Sequence, residues 1–314
     1  MSKTGRDLAV SEGSMRLWWQ RGRGVAIGVI AAICLAAVTL SIADAKSGRK
    51  TRVGLIVFDL TSTTGSPTDA DEIWAVRSDG TGARRLAFGY APAWSRDGRT
   101  IAYVNPSHEL AVMNSDGSGK RSFWEQFSSS DLAPRWSPDG TELLYSEGHY
   151  PSPLRLVNAQ GLPTTRRLTP PGAFAEGGAD WSPDGQEIAY SGEHGVYTIQ
   201  ENGRGVHRIS TRPAAGLRWS RDGHKLLFIG SSDPREAGPL VIMDADGTHA
   251  RLVINREMRV LDAGWSPDDH QIAWASLDAP GTIWIRTLAA GADRTIIRVK
   301  RDGVVAFLDW QPGA

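Results

Sequence analysis

Three histidines recur beside a carboxylate at a similar phase of the chain: His108 with Glu109, His149 with Glu147, and His194 with Glu193. Imidazole and carboxylate together suit zinc, manganese and related divalent ions, so these pairs define a candidate metal-assisted site. Direct coordination requires donors within ~2.0–2.2 Å of one ion, and equivalent loops of successive repeats stand too far apart for that. The histidines are therefore read first as solvent-exposed loop residues, with no metal and no cofactor assigned. A second set is charged. Arg135, Asp180, Arg218 and Asp309 each immediately precede a tryptophan, and the alternating signs of Arg135, Asp180 and Arg218 predict ion pairs between successive repeats that line a polar channel, with ligand binding as the alternative use. A third set is aromatic: Trp124, Tyr150 and Phe174 fall in irregular stretches, where a ring can stack on a ligand or partner.

Several chemistries are excluded. Gly117-Ser118-Gly119-Lys120 lacks the leading glycine spacing of a phosphate-cradling loop and continues into Arg121. No H-E-x-x-H and no G-x-S-x-G nucleophile elbow occurs, and no catalytic residue is assigned. The single cysteine, Cys34, rules out an intrachain disulfide framework, a Cys-based zinc cluster and a redox pair. Lys+Arg and Asp+Glu both number 35, so the chain lacks the bulk positive charge that holds most nucleic-acid binders, and no nucleic-acid partner is expected.

The elements that position these residues are set by a repeat. Trp94-Ser95-Arg96-Asp97-Gly98 returns as Trp136-Ser-Pro-Asp-Gly140, Trp181-Ser-Pro-Asp-Gly185, Trp219-Ser-Arg-Asp-Gly223 and Trp265-Ser-Pro-Asp-Asp269, and the chain closes on Trp310-Gln311-Pro312-Gly313. The tryptophans are 42, 45, 38, 46 and 45 residues apart, and a period near ~40–45 with strand-like content is that of a propeller blade. Each unit reads as four strands. The first ends at the Trp, and Ser-Pro-Asp-Gly turns the chain, with proline pre-set for the turn and glycine free to take a left-handed conformation. The second strand is apolar throughout, as in Ile101-Ala-Tyr-Val104, which suits burial on both faces. The third and fourth form a hairpin about Asp79-Gly80, Asp116-Gly117, Asn202-Gly203 or Asp246-Gly247. Residues 53–87 hold second, third and fourth strands without a first, whereas Val304–Trp310 is a first strand without the rest. Together they complete one blade, giving an all-β, six-bladed β-propeller closed by N- and C-terminal strands over residues 53–314. Closure removes the free sheet edge of an open array.

Ahead of the repeats, residues 25–43 form a 19-residue run without charge, preceded by Arg16, Arg21 and Arg23 and followed by Ala43-Asp44-Ala45. A basic flank, an apolar stretch and a small-x-small site describe an export signal. The run is also long enough to span a bilayer as a hydrophobic helix, which takes ~17–25 residues. Residues 1–45 are thus a signal peptide cut after Ala45 or a retained signal-anchor, starting at Met1 or Met15, with 46–52 a short linker. Either way the propeller is expected to be exported, extracytoplasmic (periplasmic or extracellular), and tethered to the cytoplasmic membrane if uncleaved. Cys34 is a poor lipidation site because the bulky Ile33 precedes it.

Repeated W-S-P-D-G followed by an apolar strand and a D-G hairpin resembles the TolB-like six-bladed propeller family, over about residues 50–314. The α/β domain that TolB carries ahead of its propeller has no counterpart here. Similar repeats occur in the propellers of prolyl-oligopeptidase-type peptidases and in some metal-dependent polysaccharide lyases. The resemblance implies a binding module, with a metal-assisted lyase or hydrolase at the channel mouth as the alternative. Loops between second and third strands, and the links between blades, vary most, and loops on a rigid scaffold are where binding residues concentrate. That face is expected to meet an envelope or extracellular protein, or a small ligand or glycan.

Overall fold

The computed structural model describes residues 54–62, 71–124, 133–146, 152–160, 165–170, 173, 175, 177–231, 237–255, 257–298 and 303–313. The chain divides into units Met1–Lys50 and Thr51–Ala314, and every described residue lies in the second. The apolar segment 25–43, expected as a helix, is outside the described residues. Among those described, no helix is long and apolar enough to cross a membrane.

The first blade contains β1 (Leu55–Ser62), β2 (Glu72–Arg77) and β3 (Arg84–Phe88). The second runs through β4 (Tyr90–Trp94), β5 (Thr100–Val104), β6 (Leu110–Asn114) and β7 (Arg121–Trp124). The third comprises β8 (Arg135–Trp136), β9 (Glu142–Ser146), β10 (Leu154–Asn158) and β11 (Thr165–Arg167). Next come β12 (Ala179–Trp181), β13 (Glu187–Gly192), β14 (Gly195–Gln200) and β15 (His207–Ser210). The fifth holds β16 (Ala215–Trp219), β17 (Lys225–Ile229), β18 (Leu240–Asp244) and β19 (Arg251–Ile254). The sixth holds β20 (Val260–Trp265), β21 (Gln271–Ser276), β22 (Thr282–Thr287) and β23 (Ala292–Arg298). The chain then returns to the first blade with β24 (Gly303–Val304) and β25 (Leu308–Trp310).

Each sheet is an antiparallel meander, and β25 supplies the missing inner strand of the first, pairing Ile56 with Trp310, Val57 with Asp309 and Phe58 with Leu308. The short β24 pairs with the other end of β1, Thr61 against Val304. The expected closure by both ends of the chain is therefore present. Inner strands meet in the cyclic order β25, β4, β8, β12, β16, β20 and back to β25.

Alternation along a strand explains why the strands are apolar on both faces. In β1, Ile56, Phe58 and Leu60 pack with Ala273, Ile283 and Ile285 of the sixth blade, whereas Val57 packs with Trp94, Ile101 and Met113 of the second. Six such clusters fill the six interfaces between neighbouring blades. Burying one large apolar side chain is worth ~1.5–3 kcal/mol, so each interface holds the ring shut by many such contributions.

Candidate functional site

The repeated turn is a small hydrogen-bonded device. In each of five copies the Ser hydroxyl donates to the Asp carboxylate at 2.6–2.7 Å, as Ser95 does to Asp97 and Ser182 to Asp184. The same serine oxygen accepts a backbone N–H at the start of the second strand, for example from Glu187 at 2.9 Å, and the Asp accepts the N–H two residues on, for example from Gln186 at 3.1 Å. Hydrogen bonds from Ser182 and Gln186 hold the Asp184 carboxyl below its usual range. The fourth turn position is left-handed throughout, at φ +68° in Gly98, +75° in Gly185 and +58° in Asp269, as expected of glycine or an aspartate standing in for it.

This turn fixes the residues just before it. The Trp136 indole Nε1 donates to the carbonyl of Ala93, and that of Trp265 to the carbonyl of Arg218. Each reaches the inner strand of the preceding blade, so these tryptophans are wedges between blades. Where aspartate precedes the Trp, its carboxylate reaches forward instead: Asp309 accepts the Trp94 N–H at 2.8 Å, and Asp180 accepts the Trp219 N–H at 2.8 Å. The aspartates thus clasp the backbone of the next blade. Among the described residues no contact ion pair joins Asp180 to Arg135 or Arg218; Arg218 pairs instead with Asp262, at 3.0 Å, with both side chains nearly buried. Arg135 and Arg218 act on Asp180 at longer range, and burial, the larger effect, raises its pKa. Asp262 also accepts the Leu308 N–H at 3.0 Å, tying the sixth blade to the returning terminus.

At the turn-side mouth of the channel these groups enclose a cavity of about 60 Å³, room for a few waters at ~10–15 Å³ each. Arg135, Asp180, Arg218 and Asp309 all line it, joined by Arg96 and Arg221 from the turns. Arg135 is 5 % exposed, and among the described residues its guanidinium makes one long hydrogen bond, 3.5 Å to the Pro134 carbonyl. Burial first, and the charge of Arg218 second, push it down to about 10, still cationic at neutral pH.

The TolB beta propeller domain family matches residues 78–238, just over half of the chain. The chain belongs to that family. Among solved structures it is similar to TolB from Acinetobacter baumannii, at 18 % identity and a TM-score of 0.70 over 83 % of this chain and 67 % of that one. It is also similar to a chain of a nidogen/laminin complex, at 9 % identity and 0.64 over 82 % and 98 %. A third likeness is to hydrazine synthase of Kuenenia stuttgartiensis, at 14 % identity and 0.63; it covers 82 % of this chain and 47 % of that one. At such identities the likeness is one of fold. No curated protein matches the chain.

On the opposite, loop-bearing face of this TolB-type propeller, His108 is exposed at φ +60°, with its Nδ1 3.0 Å from the Tyr90 hydroxyl. Glu109 accepts from the Asn105 amide at 2.7 Å. His194 and Glu193 are exposed, 3.9 Å apart. Among the described residues no three of His, Cys, Asp and Glu converge on a common point. His149, Glu147, Tyr150 and Phe174 are outside the described residues, and Trp124 is placed only as the end of β7, opposite Leu110. The loop face does hold a hollow of about 340 Å³, walled by Glu193, His194, Arg208, Thr211 and Ala214. Sequence reasoning named His194 here but missed Arg208, and at the channel it missed Asp262, Arg96 and Arg221. The two turn arginines had a signal, since both stand where other repeats carry proline.

Proposed function

We propose that this chain is an exported recognition module, binding a protein partner or small ligand on the loop face of a rigid six-bladed disc. Export rests on the sequence of residues 1–45, read as a signal peptide or signal-anchor. The observation that carries the binding reading is the loop-face hollow beside Glu193, His194 and Arg208. Its volume of about 340 Å³ is within the ~300–1,000 Å³ usual for ligand sites, and it presents acidic, basic and imidazole groups in a small area. The closed ring beneath positions those loops with little freedom, which limits the ordering cost of binding.

The test pairs two variants of the full-length chain. One carries Glu193→Ala, His194→Ala and Arg208→Ala on the loop face; the other carries Arg99→Ala, an exposed residue of the opposite face. Capture of a partner from envelope extract should be lost in the first and kept in the second. Equal capture by both would remove the loop face as the binding surface.

A further inference from the structure

The cavity at the other mouth of the channel has a chemistry of its own. Its walls carry four arginines, Arg96, Arg135, Arg218 and Arg221, against two aspartates, Asp180 and Asp309. Both aspartates already accept backbone N–H groups of the inner strands. Arg218 is committed to Asp262 and to the Leu217 carbonyl. Arg135 is less committed: it is almost wholly buried, and among the described residues its side chain makes one hydrogen bond, 3.5 Å long, and no contact ion pair, the charges of Asp309, Asp180 and Asp262 reaching it only at longer range. A buried guanidinium does not shed its charge and is costly without a counter-charge.

The unmatched buried atoms of the lining are all of one kind. Among the described residues, Arg218 Nε, Arg221 Nε and the indole Nε1 of Trp94, Trp181 and Trp219, all in residues of the lining, are buried hydrogen-bond donors without an acceptor. Its two aspartates already accept backbone N–H groups, so this lining holds more donors than acceptors and suits a further anionic acceptor. We propose that the turn-side channel mouth is a carboxylate-binding site, with Arg135 as its principal anchor and Arg96 at its exposed rim.

A carboxylate matches the planar guanidinium fork through two parallel hydrogen bonds. A cavity of about 60 Å³ admits one such group end-on. Of the lining tryptophans, the half-buried Trp136 offers apolar surface to whatever hydrocarbon carries it. That carrier is either a free organic acid or the acidic end of a peptide. The site is on the face opposite the loop hollow, so its fate is independent of the loop-face reading.

Calorimetric titration of the full-length chain with sodium acetate, and with neutral acetamide at matched ionic strength, tests the site. Acetate should bind and acetamide should not. Arg135→Met should weaken acetate at least about tenfold, the scale of one charge-assisted pair, and Arg135→Lys should recover part of the loss. If Arg135→Met does not fold, Arg96→Glu at the rim should still weaken acetate several-fold. Succinate, and a short peptide with a free C-terminus against its C-terminal amide, separate the two sources: a preference for succinate marks a free acid, and a preference for the free-ended peptide over its amide marks a peptide terminus. Failure of the wild-type chain to distinguish acetate from acetamide overturns the proposal. So does acetate affinity unchanged in a folded Arg135→Met or Arg96→Glu chain.

Discussion

The Asp59 carboxylate accepts the backbone N–H of Phe307 at 2.8 Å, joining two residues 248 positions apart. It also accepts from Ala306 at 3.1 Å and from Ala91 at 2.9 Å, while its own N–H donates to the Phe307 carbonyl at 3.1 Å. One wholly buried side chain thus gathers the N-terminal strand, the returning C-terminus and the start of the second blade. Closure therefore depends on a polar seam as well as on the β1–β25 ladder.

That seam should respond to pH. Burial raises the Asp59 carboxyl to about 7, against the opposing pull of its three N–H donors, and the nearby charge of Asp71 adds to the rise. An unfolded aspartate titrates near ~3.9. The folded chain holds this proton more tightly, so the stabilisation linked to it is complete below about pH 4 and is lost as pH rises through about 7. The linked change is at most on the order of 4 kcal/mol. Asp59→Asn abolishes it. Thermal midpoints of wild type and variant, taken from pH 4 to pH 8, should diverge, with the wild type losing ground as pH rises. Parallel profiles would show that Asp59 titrates no differently in the fold.

The Arg218–Asp262 pair makes a different prediction, because both partners are buried and 3.0 Å apart. Asp262→Ala strands a buried guanidinium and removes the acceptor of Leu308 N–H. The expected loss is ~3–5 kcal/mol. Replacing both, as Arg218→Met with Asp262→Leu, should cost less than the single change, since apolar substitutes of similar volume often match a buried pair. Denaturant unfolding of the two variants checks the order.

What was legible in the sequence was local. Trp-Ser-Pro-Asp-Gly identifies the turn because all its hydrogen bonds, such as Ser182 to Asp184, close within a few residues. The repeat of that turn then gave the blade number, and the incomplete units at the two ends gave the closure. The inter-blade polar contacts were not legible. Asp262 is three residues before Trp265, and a register shift between Val260 and Asp262 re-aims the side chains of β20, so strict alternation misassigns them. Asp59 reads as one polar residue in an apolar strand; its partners come from the far terminus and from the next blade. The turn arginines stand where other copies carry proline, and only the ring geometry brings them to the channel mouth.

Two glycines of the repeat separate backbone strain from crowding. Gly140 has φ +74° and open space where a Cβ would go, whereas Gly247 has φ +88° and would place a Cβ 1.9 Å from the Ile209 carbonyl oxygen of the preceding blade. Gly140→Ala should cost only the left-handed penalty, ~1–2 kcal/mol. Gly247→Ala carries that penalty and must also push two blades apart, so its cost should be clearly larger. Equal midpoints for the two variants would mean that the hairpin tip does not bear on its neighbour.

Asp269 tests the repeat against its own regularity, since other copies carry glycine there. At φ +58° an aspartate is strained, and Asp269→Gly would relieve ~1–2 kcal/mol of that. The Asp269 carboxylate, however, accepts the backbone N–H groups of Arg221 and Asp222 in the neighbouring blade, each at 2.9 Å. Hydrogen bonds to a charged group contribute ~1.5–3 kcal/mol apiece, and two of them outweigh the strain. Restoring the regular glycine should therefore lower stability by ~1 kcal/mol or more. A more stable Asp269→Gly chain in denaturant unfolding would show that the turn-to-turn bonds contribute less than the strain they maintain.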